Sequence, residues 1–530
     1  MRRTFVQHPL PPLYEVPVQL WDTKTLSGIP KLVNTTVPVL LPSDFMNWTY
    51  THFPESFFSH FCGSSDHTSI AKFWSDCRED DQYVWEHPAI VGSSPEELKH
   101  TIPWSSHGDG VPVTKAAAGG MSLALISSSS LTSIGSTIDT HFVFSALPST
   151  VIQAKGRADR TSWPLWKAYV WDLKACHAGR RPEVDMHGRK WAATDPRKAL
   201  AGQPIAGGYK LAHLFDRGDL EWHVLEKDLP HWNGFHPCLK CTADKGGNLW
   251  TDWRASWVDH PLDVLPDSEH PMIKAPWASS RTIAIDPAHT IDKGVAESLL
   301  GGVFYELIYE KSLSTHGDHK HQLVVLNTML TSWYREKAVR AQVKQIRLQD
   351  FLADVRSPHQ HSPNYSSGSM SKTRSLIPFA LHLARTFSSG SDRDRHRIAC
   401  CARLVKICDH IYLGVDHPSP AEAARFESDI KAFLQHFSFL SWAARASDSL
   451  AYNVLYKHHY LVHIGQEGRF INPMKGGCCL ADEDFVGKSA TMCRGVMKGR
   501  RPLGVSRAFM HQYCRAIMVR WANASRLAAL

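Results

Sequence analysis

Short runs of apolar and β-branched residues, separated by turn residues, dominate the chain between positions 99 and 286. Five of these runs predict strands, at residues 100–109, 121–130, 140–146, 209–215 and 280–285. The first three follow one another closely, which predicts an antiparallel meander. Between the third and fourth, apolar residues at helical spacing predict a helix over Trp163–Cys176.

Helical periodicity prevails on both sides of this region. Apolar spacing before residue 99 predicts a small, mainly helical N-terminal region. After Asp286 the pattern predicts four helices, at residues 295–310, 322–339, 377–386 and 396–413. A Ser- and His-rich stretch, 356–374, predicts a loop between them.

These elements define a fold class and a domain order. The succession β-β-β-α-β-(α)-β is the ribonuclease H-like order, so we predict an α/β fold with a ribonuclease H-like mixed sheet flanked by helices. A large all-α insertion would interrupt it. The predicted regions are 1–98 (mainly helical), 99–299 (first part of the core), 300–450 (helical insertion) and 451–530 (the rest of the core with a basic tail).

Composition and charge narrow the classes of protein to be considered. An apolar fraction of 43% and a charged fraction of 21% are typical of a globular protein. No stretch of about 20 apolar residues is present, so no membrane span is expected, and no signal peptide is expected at the N-terminus. The 12 cysteines are scattered, which favours a reducing compartment over a disulfide framework.

Positive charge collects at the C-terminal end. Residues 485–530 contain nine Lys and Arg and no Asp or Glu. Such a stretch could follow a phosphate backbone, although a solvated helix face is the plain alternative. The DNA-binding candidates are Lys488, Arg494, Lys498, Arg500 and Arg501.

Three short acidic motifs carry the most specific chemistry. Asp109 lies between two glycines at the end of the first predicted strand, and Asp219 follows the fourth. Glu483 opens a helical stretch. Carboxylates placed in this way can hold divalent metals that act on a phosphodiester. Asp216 is an alternative to Asp219, and Asp482 and Asp484 are alternatives to Glu483.

Asp286 and His289 follow the fifth predicted strand. A spacing of three places both on one helical face, where they can hydrogen-bond to each other. A purely structural pair is the alternative to a functional one.

Cys238 and Cys241 form a Cys-x-x-Cys pair within a segment at 231–245. Their spacing suits half a zinc site, with His231 and His236 as candidate partners. A redox dithiol or two buried thiols remain alternatives. His459 and His463 also show metal-like spacing, but no third ligand is evident near them in the sequence, so we expect them to pack within a helix.

Taken in order, these motifs resemble those of DDE-type cut-and-paste transposases of the hAT and CACTA kind. The resemblance covers residues 99–510 and follows the order Asp109, Asp219, Cys238-x-x-Cys241, Asp286-x-x-His289, Glu483-x-x-x-Gly487. The Asp-x-x-His element is its most diagnostic part. The stretches 230–238 and 285–300 also resemble transposon-derived proteins of dinoflagellate type.

The resemblance implies a nuclear enzyme of DNA transposition and recombination. It would use Mg²⁺ or Mn²⁺, held by Asp109, Asp219 and Glu483, to cut and transfer strands at transposon ends in double-stranded DNA, and it would act as a homodimer or higher oligomer. Asp286 and His289 would support the core or position the scissile strand. No N-terminal zinc-finger DNA-binding domain is found in the sequence. The alternative is therefore a domesticated, inactive module that binds DNA or protein. A third reading, a nuclease acting on RNA or DNA junctions, does not explain the helical insertion.

Overall fold

The structure is a computed structural model that describes residues 8–22, 29–114, 120–153, 160–255, 268–311, 313, 318–366 and 368–528. The strands are β1 (Tyr14–Asp22), β2 (Lys31–Val39), β3 (Thr101–Pro112), β4 (Ser122–Ser130), β5 (His141–Pro148) and β6 (Lys210–Arg217). The helices are α1 (Pro42–His52), α2 (Pro54–Phe57), α3 (Thr68–Asp76), α4 (Gln82–Trp85), α5 (Pro95–Leu98), α6 (Thr137–Thr140), α7 (Trp163–Ala178), α8 (Leu220–Lys227), α9 (Ala296–Tyr305), α10 (His319–Lys337), α11 (Met370–Thr386), α12 (Asp392–Leu413), α13 (Pro420–Arg445), α14 (Tyr456–Glu467), α15 (Pro473–Gly476), α16 (Leu480–Met497) and α17 (Pro502–Ala528).

The chain forms two compact units, and it passes between them more than once. The first unit comprises Met1–Leu229, Asp263–Ala284 and Cys479–Leu530, and the second comprises Pro230–Leu262 and Ile285–Cys478. The six strands found in the described residues belong to the first unit, whereas α9–α15 belong to the second. The residues predicted as an insertion, 300–450, lie in the second unit.

A four-stranded mixed sheet forms the centre of the first unit, in the order β5-β4-β3-β6. The β3–β4 and β4–β5 pairs are antiparallel, and β3 and β6 are parallel. A parallel strand needs a crossover connection, and α7 lies between β5 and β6 in the chain. The mixed α/β class with both parallel and antiparallel pairing agrees with the prediction.

The fifth predicted strand is reduced to a single bridge. Thr282 N donates to Ser279 O in a turn at 3.1 Å, so the chain becomes extended only after that turn. Ile283 then forms a parallel bridge with Asp216 of β6. Within the described residues, the segment 280–285 therefore lies beside β6 without forming a regular strand.

The start of the chain was predicted as mainly helical, and this is wrong for residues 14–39. β1 and β2 form a two-stranded antiparallel sheet there. Along β1, side chains alternate between buried and exposed, with Val16, Val18 and Leu20 buried. This period of two is that of a strand with one face against a core. The helices α1–α5 follow between residues 42 and 98.

Aromatic side chains fill the core of the first unit. Trp104 of β3 stacks on Phe61 and Phe142, with ring centroids 5.8 and 5.9 Å away. Its indole Nε1 donates to the Tyr169 hydroxyl of α7 at 3.2 Å, which satisfies the buried polar atom. These contacts fix α7 against β3, the strand that carries the first acidic motif.

The second unit is largely helical in its described part. Its long helices α11, α12 and α13 present buried apolar stripes to one another. Arg397 of α12 is fully buried and pairs with Glu306 at 2.7 Å and Asp394 at 2.6 Å. A buried guanidinium with two carboxylate partners has its charge compensated, as burial requires. In neither unit does the described chain contain a helix long and apolar enough to cross a membrane.

Candidate active site and metal centre

The parallel pair β3–β6 brings two of the predicted catalytic carboxylates to neighbouring positions. Its register pairs Ser106 with Asp216 and His107 with Arg217. Two residues further along each chain come Asp109 and Asp219. β6 ends at Arg217, but the two segments stay close beyond it, since a Cβ on Gly218 would lie 3.2 Å from Gly108 O. Asp109 and Asp219 directly follow these two glycines. Both line one cavity of about 550 Å³.

Two glycines allow the chains to approach at this point. A Cβ on Gly108 would lie 2.1 Å from the Trp222 ring, which α8 lays against β3. A Cβ on Gly218 would lie 2.8 Å from the same ring and 3.2 Å from Gly108 O. A side chain in place of the glycine before either aspartate would overlap Trp222. Packing therefore explains the glycine of both Gly-Asp motifs.

The two aspartates hold their positions through local hydrogen bonds. Asp219 caps α8, since its Oδ1 accepts the Trp222 backbone N–H at 2.6 Å. Asp109 Oδ1 accepts the Gly110 backbone N–H at 2.6 Å. Both residues are half-buried, and each belongs to the cavity wall. The arrangement is that of carboxylates held in place and open to a ligand.

Asp216, the alternative to Asp219, has a different environment. Its side chain is fully buried, 3.2 Å from the equally buried Lys227 Nζ. Its Oδ1 accepts a hydrogen bond from Ser106 Oγ at 3.0 Å. Asp216 is thus a buried structural ion pair, and it is not among the described residues that line the cavity.

The third acidic motif opens α16, and its three acidic residues differ in exposure. Asp482 is buried, Glu483 is half-buried and Asp484 is exposed. Asp484 pairs with Lys488 on the surface at 2.7 Å. Glu483 is not among the described residues that line the cavity with Asp109 and Asp219.

Asp482 is held in a buried cluster of opposite charge. Its Oδ2 lies 3.0 Å from Arg217 Nη1, and its Oδ1 lies 3.3 Å from His141 Nε2. Burial alone would raise the pKa of this carboxyl, but Arg217 and the imidazoles of His107 and His141 outweigh it and lower the pKa below its ordinary range. Asp482 therefore stays ionised as a structural anion.

The same cluster places the start of α16 against β3. Donor atoms of His107, Cys479 and Asp482 lie within 4.8 Å of one another. The guanidinium of Arg217 already neutralises Asp482, so we read this group as an ion-pair cluster rather than a cation site. His107 and Asp109 alternate onto the same face of β3, and Glu483 directly follows Asp482. The helix that bears Glu483 thus begins on the face of the sheet that bears Asp109.

Two further carboxylates, absent from the sequence prediction, share the cavity wall with Asp109 and Asp219. Glu221 and Glu226 both lie on α8. Glu226 accepts a hydrogen bond from Trp166 Nε1 at 3.0 Å. Burial raises the pKa of Glu226. In the sequence they follow Asp219 by two and seven residues, within an ordinary helical pattern that gives no functional signal.

Asp286 and His289 belong to the second unit and contact each other, as their spacing predicts. Asp286 Oδ2 accepts the His289 backbone N–H at 3.0 Å and lies 2.5 Å from its Nδ1. Oδ1 accepts the Ala288 backbone N–H at 3.0 Å. Both carboxylate oxygens of Asp286 therefore accept hydrogen bonds at the start of a helical segment, where a carboxylate also complements the helix dipole.

The Cys-x-x-Cys pair lies with two histidines other than the predicted ones. Cys238 and Cys241 form a buried group with His459 and His463 of α14, and all four donor atoms lie within 4.8 Å of one another. His231 and His236 are instead exposed and pack on the neighbouring rings of Trp232 and Phe235. The missing ligands were separated from the cysteines by 218 residues or more, which is why local spacing did not reveal them.

Charge and burial compete at these thiols. Burial raises the pKa of a thiol, but at Cys238 a hydrogen bond from Cys241 and the charges of His459 and His463 reverse the effect and lower the pKa. A thiolate at Cys238 is the form that binds metal. This donor set of two sulfurs and two imidazole nitrogens can hold a soft divalent ion.

The residues predicted to bind DNA are all on the surface. Lys488, Arg494, Lys498, Arg500 and Arg501 are exposed along and after α16. Within the same basic stretch, Arg507 pairs with Glu15 and Arg520 with Asp139. These two arginines attach α17 to its own unit, so only part of the positive charge is available to a partner.

Comparisons with other proteins assign the chain to no family. The chain matches none of the protein-family models, and none of the curated proteins matches it.

Proposed function

We propose that this protein is a DDE transposase-like enzyme that cleaves and transfers DNA strands with the help of divalent metal ions. The observation that carries the proposal is the pair Asp109 and Asp219, the first within β3 and the second just after the parallel strand β6, which line one cavity of about 550 Å³. Buried or half-buried carboxylates that converge in a cleft are a common basis for metal-dependent phosphodiester chemistry.

The topology supports the proposal. A meander of β3, β4 and β5, then α7, then β6 parallel to β3, is the succession of a ribonuclease H-like core. Ile283 beside β6 stands where that succession has its fifth strand. The second unit then intervenes before α16, which agrees with a core divided by a helical insertion.

Asp109, Asp219 and Glu483 would hold the metal ions, Mg²⁺ or Mn²⁺. Carboxylate oxygens are the hard donors that these ions prefer. Asp482 is unsuited to this role because Arg217 already compensates its charge, and Asp484 pairs with Lys488 on the surface. Glu483 is therefore the acidic residue of this motif that we assign to the metal. When bound, the ions supply positive charge that activates water and stabilises the leaving oxygen.

The chain's own contribution is positioning. Backbone hydrogen bonds from Gly110 to Asp109 and from Trp222 to Asp219 hold both carboxylates in the cavity wall, and the Asp482 cluster holds the start of α16 against β3. Such pre-organisation is worth several kcal/mol in catalysis, because the reacting groups need not be assembled at the transition state.

The substrate we propose is double-stranded DNA at transposon ends. Sequence-independent attraction would come from the exposed cations of the segment 488–501, and such binding weakens with salt. A nuclear location and assembly into a homodimer or higher oligomer belong to the same proposal, since two DNA ends are joined in transposition.

A nicking assay tests the proposal. Supercoiled plasmid carrying candidate element ends is incubated with the full-length protein and Mg²⁺ or Mn²⁺. The unmutated protein should nick, and D109N or D219N should reduce the rate at least about 100-fold, since an amide holds a hard dication poorly. D80N, in an exposed turn of the same unit, is the matched control and should nick normally. Binding without nicking would refute the enzyme and favour a DNA-binding module; equal nicking by D109N would refute the site.

A further inference from the structure

The second unit contains a buried group of four soft and borderline donors in a compact arrangement. Cys238 Sγ lies 3.3 Å from His463 Nε2, and Cys241 Sγ lies 3.3 Å from His459 Nε2. The two imidazole Nε2 atoms are 3.2 Å apart. Around a tetrahedral zinc ion, bond lengths of about 2.3 Å to sulfur and about 2.05 Å to nitrogen imply edges of about 3.6 Å and about 3.3 Å. The distances between these donor atoms are therefore already close to the edge lengths of such a tetrahedron.

The outer hydrogen bonds of the histidines orient their lone pairs. His459 Nδ1 lies 3.0 Å from Trp250 O, and His463 Nδ1 lies 2.7 Å from Gln466 Oε1. Both partners are oxygen acceptors, so each Nδ1 carries the proton and each Nε2 presents a lone pair. A second hydrogen bond of this kind is also the usual support of a zinc-binding histidine.

We propose that Cys238, Cys241, His459 and His463 bind one structural Zn²⁺ ion. All four side chains are less than 5% exposed. Four protein ligands complete the tetrahedron and leave no position for substrate, which distinguishes a structural site from a catalytic one.

The ion joins two distant parts of the second unit. Residues 230–255 consist of turns and bends with little regular structure, whereas His459 and His463 lie one turn apart on α14. Lys240 also pairs with Glu467 at the end of the same helix. The zinc site thus anchors an irregular segment on α14 across more than 200 residues of chain. Because the unfolded chain holds no such site, zinc binding contributes to the folding of this unit.

Metal content of the full-length protein tests the site without reference to activity. Protein purified under reducing conditions should contain one zinc per chain by inductively coupled plasma mass spectrometry. C238S and H463A should lower this content at least tenfold, whereas H231A and H236A should leave it unchanged. C241H, which replaces the sulfur ligand with an imidazole nitrogen, should retain most of the metal.

Cobalt substitution tests the same site in the unmutated protein, so it gives an answer even if the variants fail to fold. Co²⁺ added to the metal-free, unmutated protein should give the visible bands of a tetrahedral ion together with thiolate-to-cobalt charge transfer, both abolished by zinc. Absence of zinc and of a cobalt spectrum would overturn the proposal. So would a Cys238–Cys241 disulfide in reduced preparations, or full zinc content in C238S.

Discussion

Replacing Lys227 with Met should destabilise the first unit strongly, because it leaves a buried charge without a partner. Lys227 and Asp216 have fully buried side chains, and their charged atoms are 3.2 Å apart. At an effective dielectric constant of about 20, their attraction is about 5 kcal/mol. Removing one member of such a pair costs about 3–5 kcal/mol, since the remaining ion stays desolvated.

The assay is native-state hydrogen exchange, measured by mass spectrometry on peptides from β6 and α8. K227M should lower the opening free energy there by about 3–5 kcal/mol. K72M, which breaks the exposed Lys72–Asp76 pair, should change it by less than about 0.5 kcal/mol. The double variant D216N/K227M should recover most of the loss, because Asn still accepts from Ser106 and carries no charge. A loss in K227M no larger than that in K72M would refute this account of Asp216.

Three further perturbations follow from the same structure. Gly108→Ala should destabilise the first unit by about 1–3 kcal/mol in thermal unfolding and slow nicking, since its Cβ would overlap Trp222; an unchanged melting temperature would contradict the packing. Burial raises the pKa of Asp172 from 3.8 to about 6, so this carboxyl favours the folded state most below pH 3.8. Its contribution should fall by about 3 kcal/mol between pH 3.8 and 6, and D172N should flatten this part of the stability profile. Replacing Arg500 and Arg501 with Ala should weaken DNA binding and reduce the slope of log affinity against log salt by about two; an unchanged slope would show that they face only solvent.

Much of the sheet could be predicted because strand signals are local. Alternation and turn residues located β3–β6 to within a few residues, and the second Gly-Asp motif marked the end of β6, whereas β3 continues three residues past Asp109. The parallel pairing of β3 with β6, which puts both aspartates in the wall of one cavity, was not predicted, because it depends on strands about 100 residues apart.

Features that depend on distant partners could not be read in this way. His459 and His463 looked incomplete because their cysteines precede them by more than 200 residues. The role of Asp482 depends on Arg217 and His141, on separate strands. The β1–β2 sheet was not predicted; Pro17 and Pro38 lie within its strands, where proline is uncommon.

Manganese located by anomalous diffraction tests the central claim most directly. Crystals of the protein grown with element-end DNA and Mn²⁺ should show anomalous density at the cavity between Asp109 and Asp219, with Glu483 as a further ligand. The density should disappear in D109N/D219N crystals of the same form. Manganese bound elsewhere, with none beside Asp109 and Asp219 at a concentration that supports nicking, would contradict the account.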